Sequence, residues 1–206
     1  QKYFSASYSH AFQTIENYQA EDNGAGIYYF VNDNGTQDIT IYEGLKKTKT
    51  FLVGEYSEND VYIIPDVNLD GDTVFVNVYE TATSSNYASF TNIVDATSVN
   101  ENSTLYILKE SPNGYYQLSF GANDILGRAP QSGNVIRLDY IATQGSIANS
   151  INSFTPIDTI TVDATQHNIS ITVVSPAAGG GEKESIESIR RNAPFQYATQ
   201  NRMVTP

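Results

Sequence analysis

Apolar and polar residues alternate along most of this chain in short stretches, and Gly, Asn, Asp and Pro interrupt the alternation at close intervals. A period of two marks strands with one face toward a core and the other toward solvent. It predicts strands over 26–31, 38–42, 48–56, 61–64, 73–80, 104–110, 115–120 and 134–141. Three dipeptides that accept positive φ, Asn34-Gly35, Asp70-Gly71 and Asn113-Gly114, punctuate this region. Such pairs close tight hairpins, so antiparallel pairing is expected over parallel crossovers.

The texture changes near Thr143. A small-residue linker over 143–150 leads to two more expected strands, 158–162 and 168–174. After Gly179-Gly180-Gly181 the pattern switches to one helix over 182–192, with Glu182, Glu184 and Glu187 early and Arg190 and Arg191 late, the order that suits the helix dipole. Pro194 is expected to end it. Ile186 and Ile189 share a face that needs a sheet to lie against, and Glu187 stands one turn from Arg190 and Arg191. The expected fold is therefore mainly β with a smaller α+β unit: an antiparallel β-rich domain over 1–142, then a strand-strand-helix unit over 143–206.

Composition narrows the class. Of 206 residues, 40% are hydrophobic and 12% aromatic, with 15 Tyr and 9 Phe, enough apolar surface for a folded core. The absence of Cys removes disulfides, thiolate metal sites and a cysteine nucleophile. The formal charge of −12 would repel a phosphate backbone. The basic residues gather only loosely, as Lys46, Lys47 and Lys49 and as Arg190, Arg191 and Arg202, too sparsely for a nucleic-acid stripe. No apolar run approaches the roughly 18 residues that span a bilayer. Neither nucleic acid nor a membrane is an expected partner. The chain starts at Gln1 and stops at Pro206, a residue type that opens helices, and reads as an internal segment of a longer protein.

Few constellations suggest chemistry. Asp66, Asn68, Asp70 and Asp72 place oxygen ligands at alternate positions with Gly71 sixth, as at the opening of a calcium loop. The ninth and twelfth positions are Val74 and Asn77, with no bidentate Glu, so a solvated hairpin turn is the favoured reading and no metal or other cofactor is expected. Residues 179–185 bring glycines, a lysine and a serine to a helix start. They lack the phosphate-loop order, however, and place Glu182 and Glu184 where phosphate would sit, which favours a flexible strand-to-helix connector. His10 and His167 have no nucleophile or second His at a useful spacing and read as surface residues of strands or turns. Glu21 with Asp22, and Glu58 with Asp60, read as solvated acidic loops. No catalytic residue is assigned. Tyr28-Tyr29 and Tyr115-Tyr116 fit strand packing first and a contact surface second.

The C-terminal segment over 178–205 resembles the baseplate J-like family of contractile-tailed bacteriophages: a glycine-rich loop, an acidic helix start, an Asn192-Ala193-Pro194 stop, and Thr199-Gln200-Asn201-Arg202 followed by Val204-Thr205. A second likeness covers 114–130, with its Phe120-Gly121 turn, then 133–140 and 143–145. A third is Ile41-Tyr42-Glu43-Gly44 with Phe51 and Ile64-Pro65. Residues 121–127 depart slightly from the usual Gly-Asp-Gly-x-Leu-Gly turn, and the first forty residues match least.

The resemblance implies a structural, non-enzymatic subunit of the baseplate wedge. It would join copies of itself and other wedge proteins into the inner ring around the tail tube, as a homo- or hetero-oligomer. It would belong to the virion tail and be assembled in the host bacterial cytoplasm. Arg190, Arg191, Gln200, Asn201 and Arg202 are the candidate interface residues. The alternative is a calcium-assisted carbohydrate-binding or adhesin β domain, which would use exposed tyrosines and the loop over 66–72. A hydrolase would need convergent carboxylates, which the sequence does not place.

Overall fold

The computed structural model describes residues 3–6, 10–15, 18–32, 34–55, 60–121, 127–157, 159–162 and 164–199. The strands, in chain order, are β1 (Tyr3–Ala6), β2 (Ala11–Gln13), β3 (Gln19–Asp22), β4 (Tyr28–Val31), β5 (Tyr42–Glu43), β6 (Leu45–Leu52), β7 (Tyr62–Ile64) and β8 (Phe75–Tyr79). They continue with β9 (Tyr87–Asn92), β10 (Leu105–Glu110), β11 (Tyr116–Phe120), β12 (Val135–Ala142), β13 (Phe154–Pro156), β14 (Ile160–Val162) and β15 (Thr165–His167). One helix, α1 (Ile186–Thr199), follows. The protein is mainly β, as its alternation predicts.

The main sheet has seven strands in the order β6-β12-β8-β9-β10-β11-β7. Alternation places one face of each strand inward, so Val76, Val78, Tyr106, Leu118, Ile136 and Leu138 are buried together in one core. The sheet curls around this core, since the rings of Phe51 on edge strand β6 and Tyr62 on edge strand β7 approach to 5.3 Å. Burying such side chains contributes about 1.5–3 kcal/mol each. A second sheet, β13-β1-β2-β5, carries a smaller cluster in which Phe12 stacks edge-on against Phe154 at 5.0 Å beside the buried Ala148. Strand β13 thus pairs with β1 from the other end of the chain, with Phe4 opposite Pro156. Two ribbons, β3-β4 and β14-β15, complete the strands described.

Asn113-Gly114 closes the β10-β11 hairpin as its residues predict, with Gly114 at φ +81°. Other expectations are corrected. Asp70-Gly71 is not a hairpin turn: Asp70 caps a single 3-10 turn over Gly71–Thr73, its carboxylate accepting from the Asp72 N–H at 3.1 Å. One pairing is parallel, β9 with β10, because a 3-10 turn over Ile93–Asp95 and the loop after it return the chain to the same end of the sheet. Residues 38–42 contribute only Tyr42 to a strand, and 48–56 becomes the earlier, shorter β6. No strand forms over 168–174. There the alternation positions Ile169 and Ile171 against the Phe12 cluster without a ladder, while 165–167 pairs instead.

Helix α1 starts four residues later than expected and runs through Pro194. Proline removes one ladder hydrogen bond, and an exposed helix can leave the freed carbonyl to water. The expectation that its apolar face lies on the chain's own sheet fails: Ile186 is 52% and Ile189 is 48% exposed.

Candidate assembly interface

The segment that carries the helix is held at every step. The Ala177 N–H donates to the Ile151 carbonyl and the Ser150 N–H to the Ala177 carbonyl, both at 2.7 Å. Asn149 then pairs with Gly180 in both directions, its amide donating to the Gly180 carbonyl at 2.8 Å and accepting from the Gly180 N–H at 3.0 Å. This contact needs glycine. A Cβ on Gly180 would sit inside the carbonyl oxygen of Gly145, and Gly145 itself holds φ +73°. Next, the Ser146 hydroxyl donates to Glu182 at 3.0 Å. Finally, the Lys183 ammonium pairs with Glu110 at 3.0 Å, donates to the Gly114 carbonyl at 3.2 Å and lies 4.7 Å from the Tyr116 ring centroid. The glycine run is therefore a docked strap between the 145–151 loop and the β10-β11 hairpin, which corrects the reading of it as a flexible connector.

From this base the helix departs with its own start signal. The Ser185 hydroxyl accepts from the Ser188 N–H at 3.2 Å, satisfying one of the first-turn donors. Glu184, not Glu187, turns back onto the helix, accepting from Ser188 and from Asn192 at 2.8 Å. Those bonds hold its carboxyl below the usual carboxylate range. Arg190 and Arg191 are exposed, and among the described residues neither has an ion-pair partner within 4.0 Å, Glu187 included. Gln200, Asn201 and Arg202 lie outside the described residues, as do residues 122–126 of the family-like turn and Glu58.

The loop over 66–72 spends its oxygens on the fold. Asp66 accepts from Lys47 Nζ at 2.7 Å, the Tyr140 hydroxyl at 3.0 Å and the Asn68 N–H at 3.0 Å. Burial works to raise its carboxyl, but these donors together hold it below the usual range. Tyr140 responds in kind, its phenol pushed up by burial and by the Asp66 carboxylate. Asp70 moves the other way: burial raises its carboxyl, the Asp72 N–H lowers it and the neighbouring Asp72 charge raises it again. Asp66 and Asp70 thus point at different partners. Among the described residues, no group of three or more His, Cys, Asp or Glu stands close enough together to hold a metal ion.

Sequence reasoning missed three contributors. His10 is not a free surface residue, since its Nδ1 is buried 3.6 Å from Glu43. Glu43 in turn accepts from the Thr143 hydroxyl at 2.8 Å and the Gln144 N–H at 2.9 Å, joining β5 to the start of the 143–150 loop. His167 packs edge-on against Tyr28 at 5.7 Å. Lys183 was visible only as part of a false phosphate cradle, because the carboxylate and ring that receive it lie far back in the chain.

Among the described residues, the β scaffold anchors the helix at one end and leaves Ile186 and Ile189 about half exposed. No family model matches the chain. The chain is similar to the baseplate wedge protein gp6 of Enterobacteria phage T4, with 31% identity over 127 residues. That match covers 50% of this chain and spans 18% of the relative's length. The chain is thus similar to a stretch of one bacteriophage baseplate wedge protein and spans less than a fifth of that protein's length.

Proposed function

We propose that the chain is a structural building block of a contractile-tail baseplate wedge, joining copies of itself and other wedge proteins into the inner baseplate ring of the virion. The observation that carries this reading is the 31% identity to a T4 baseplate wedge protein over half the chain. The half-exposed isoleucine face of the helix supports it, because interfaces are built on rigid, desolvated anchors and need no perturbed titrating group. In this reading residues 1–142 form the scaffold, and 143–206 carry the strap and helix that present Arg190 and Arg191 to a neighbour. Assembly would take place in the host cytoplasm before the tail is complete. The role needs no catalytic residue and no cofactor.

Gold-labelled antibody raised against the chain and viewed by electron microscopy on intact particles tests the proposal. Label at the end of the tail is the expected result. Label on fibres, or none on any particle, would overturn it.

A further inference from the structure

The outer face of the main sheet carries an apolar row that is exposed at its two ends, Leu52 and Tyr87, and half-buried between them at Val135 and Tyr79. Register places Leu52 opposite Val135, Val135 opposite Tyr79 and Tyr79 opposite Tyr87, so the row crosses β6, β12, β8 and β9. The tyrosine rings stack at 5.1 Å. The adjoining inward residues Ile136 and Val78 are buried in the core, which places the row on the opposite, solvent side. Leu52 is 71% and Tyr87 is 54% exposed. The next outward row, Thr50, Arg137, Asn77 and Ser89, is polar, so the apolar row is a bounded stripe. Exposed Glu55 and Glu80 follow Leu52 and Tyr79 at the same end.

We infer that this row receives helix α1 of a second copy of the chain, with Ile186 and Ile189 on the apolar stripe and Arg190 and Arg191 toward Glu55 and Glu80. The chain's own helix cannot fill that place. Lys183 is pinned at the Gly114 carbonyl, beside Val67 and therefore at the Ala142 end of β12. The row lies at the Val135 end, seven residues or about 23 Å away at ~3.3 Å per residue. Three residues from Lys183 to Ile186 reach at most about 10 Å. One chain therefore holds an apolar helix face with a basic flank and, out of its own reach, an apolar stripe with an acidic flank. Charge complementarity selects the copy as occupant. The contact is heterologous, so it propagates from copy to copy and closes into a ring when the rotation allows. This inference rests on the self-assembly reading above and names its surfaces.

The cysteine-free sequence permits a clean test on the full chain. Ala193→Cys places a thiol on the isoleucine face of the helix, and Thr50→Cys places one beside the row without altering it. Mixed under mild oxidation, the two variants are expected to form an inter-copy disulfide about tenfold faster than Ala193→Cys mixed with Val94→Cys, an exposed control, because docking raises the local thiol concentration. Adding Ile186→Asp and Ile189→Asp, or Arg190→Glu and Arg191→Glu, should remove the advantage. Equal rates for the two pairs would overturn the docking. If light scattering still showed self-association, the assembly reading would stand while these surfaces failed. A monomer at every concentration, with equal rates, would overturn both. Rapid closure within one chain carrying both cysteines at high dilution would assign the row to the chain's own helix and also overturn the inference.

Discussion

The Tyr140 hydroxyl donates to the Asp66 carboxylate at 3.0 Å across 74 positions of sequence, and Lys47 Nζ meets the same oxygen at 2.7 Å. Three strands or loops that share no local signal, β6, the 66–72 loop and β12, are tied at one carboxylate. That carboxyl is held below its ordinary value while Asp70, four residues on, is held above it.

The two aspartates should therefore respond oppositely to neutralisation. A depressed folded pKa contributes stability that is present above the unfolded value, near 3.9, and is lost as pH falls through the folded value. A raised folded pKa contributes stability that is present below the unfolded value and lost as pH rises through the folded one. Asp66→Asn is expected to lower the melting temperature at pH 7. Asp70→Asn keeps an acceptor for the Asp72 N–H while removing a half-buried charge, and is expected to raise it. Thermal melts at pH 7 and pH 3 check this, and the two effects should shrink together at pH 3. Millimolar calcium should leave the wild-type melt unchanged, because Lys47 already occupies Asp66.

Tyr106 is buried with its hydroxyl on the Val74 carbonyl at 3.1 Å, and burial, with a smaller contribution from Asp95, pushes its phenol up to about 12. Since the folded value lies above the unfolded one near 10, its contribution is complete below about pH 10 and is lost as pH rises through about 12. Tyr106→Phe should cost about 1–2 kcal/mol at pH 7 by orphaning a buried carbonyl. It should also flatten the alkaline limb of stability, read by urea unfolding from pH 7 to pH 11.

Gly180→Ala should release the strap without unfolding the sheet. The added methyl collides with the Gly145 carbonyl oxygen, while the main core lies elsewhere. Amide exchange over 177–185 is expected to quicken sharply with little change over β12, and Asn149→Ala should reproduce the pattern. Gly44→Ala should behave differently. Its φ of +126° and its contact with the Ala142 carbonyl combine strain with overpacking, for a loss of about 3 kcal/mol in global stability.

Lys183→Met should cost under about 1 kcal/mol, since the ion pair with Glu110 is exposed. A double-mutant cycle with Tyr116→Leu is expected to give a coupling of about 0.5–1 kcal/mol, the contribution of the cation over the ring. A coupling of zero would mean that Lys183 is held by Glu110 and the Gly114 carbonyl alone.

Local chemistry was enough for the β character, for the β10-β11 hairpin at Asn113-Gly114 and for the existence of one helix after the glycines. In each case neighbouring residues decide the conformation: alternation selects a pleated strand and a Gly in positive φ closes a turn. The resemblance to a phage baseplate family over 114–145 and 178–205 is likewise a reading of residue order alone, and the likeness to a baseplate wedge protein agrees with it in kind. Tertiary structure decided what pairs with what. Residues 165–167 became a strand while Ile169 and Ile171 turned into the Phe12 cluster, although only the latter stretch has strong alternation, because burial against a distant surface outweighs local preference. The parallel β9-β10 pair, the bond between β13 and β1, and the docking of the strap depend on contacts across long loops, whose closing entropy no local pattern encodes. The isoleucines of α1 show the same limit: their spacing announces an apolar face, and only the fold shows that the described residues leave it about half exposed.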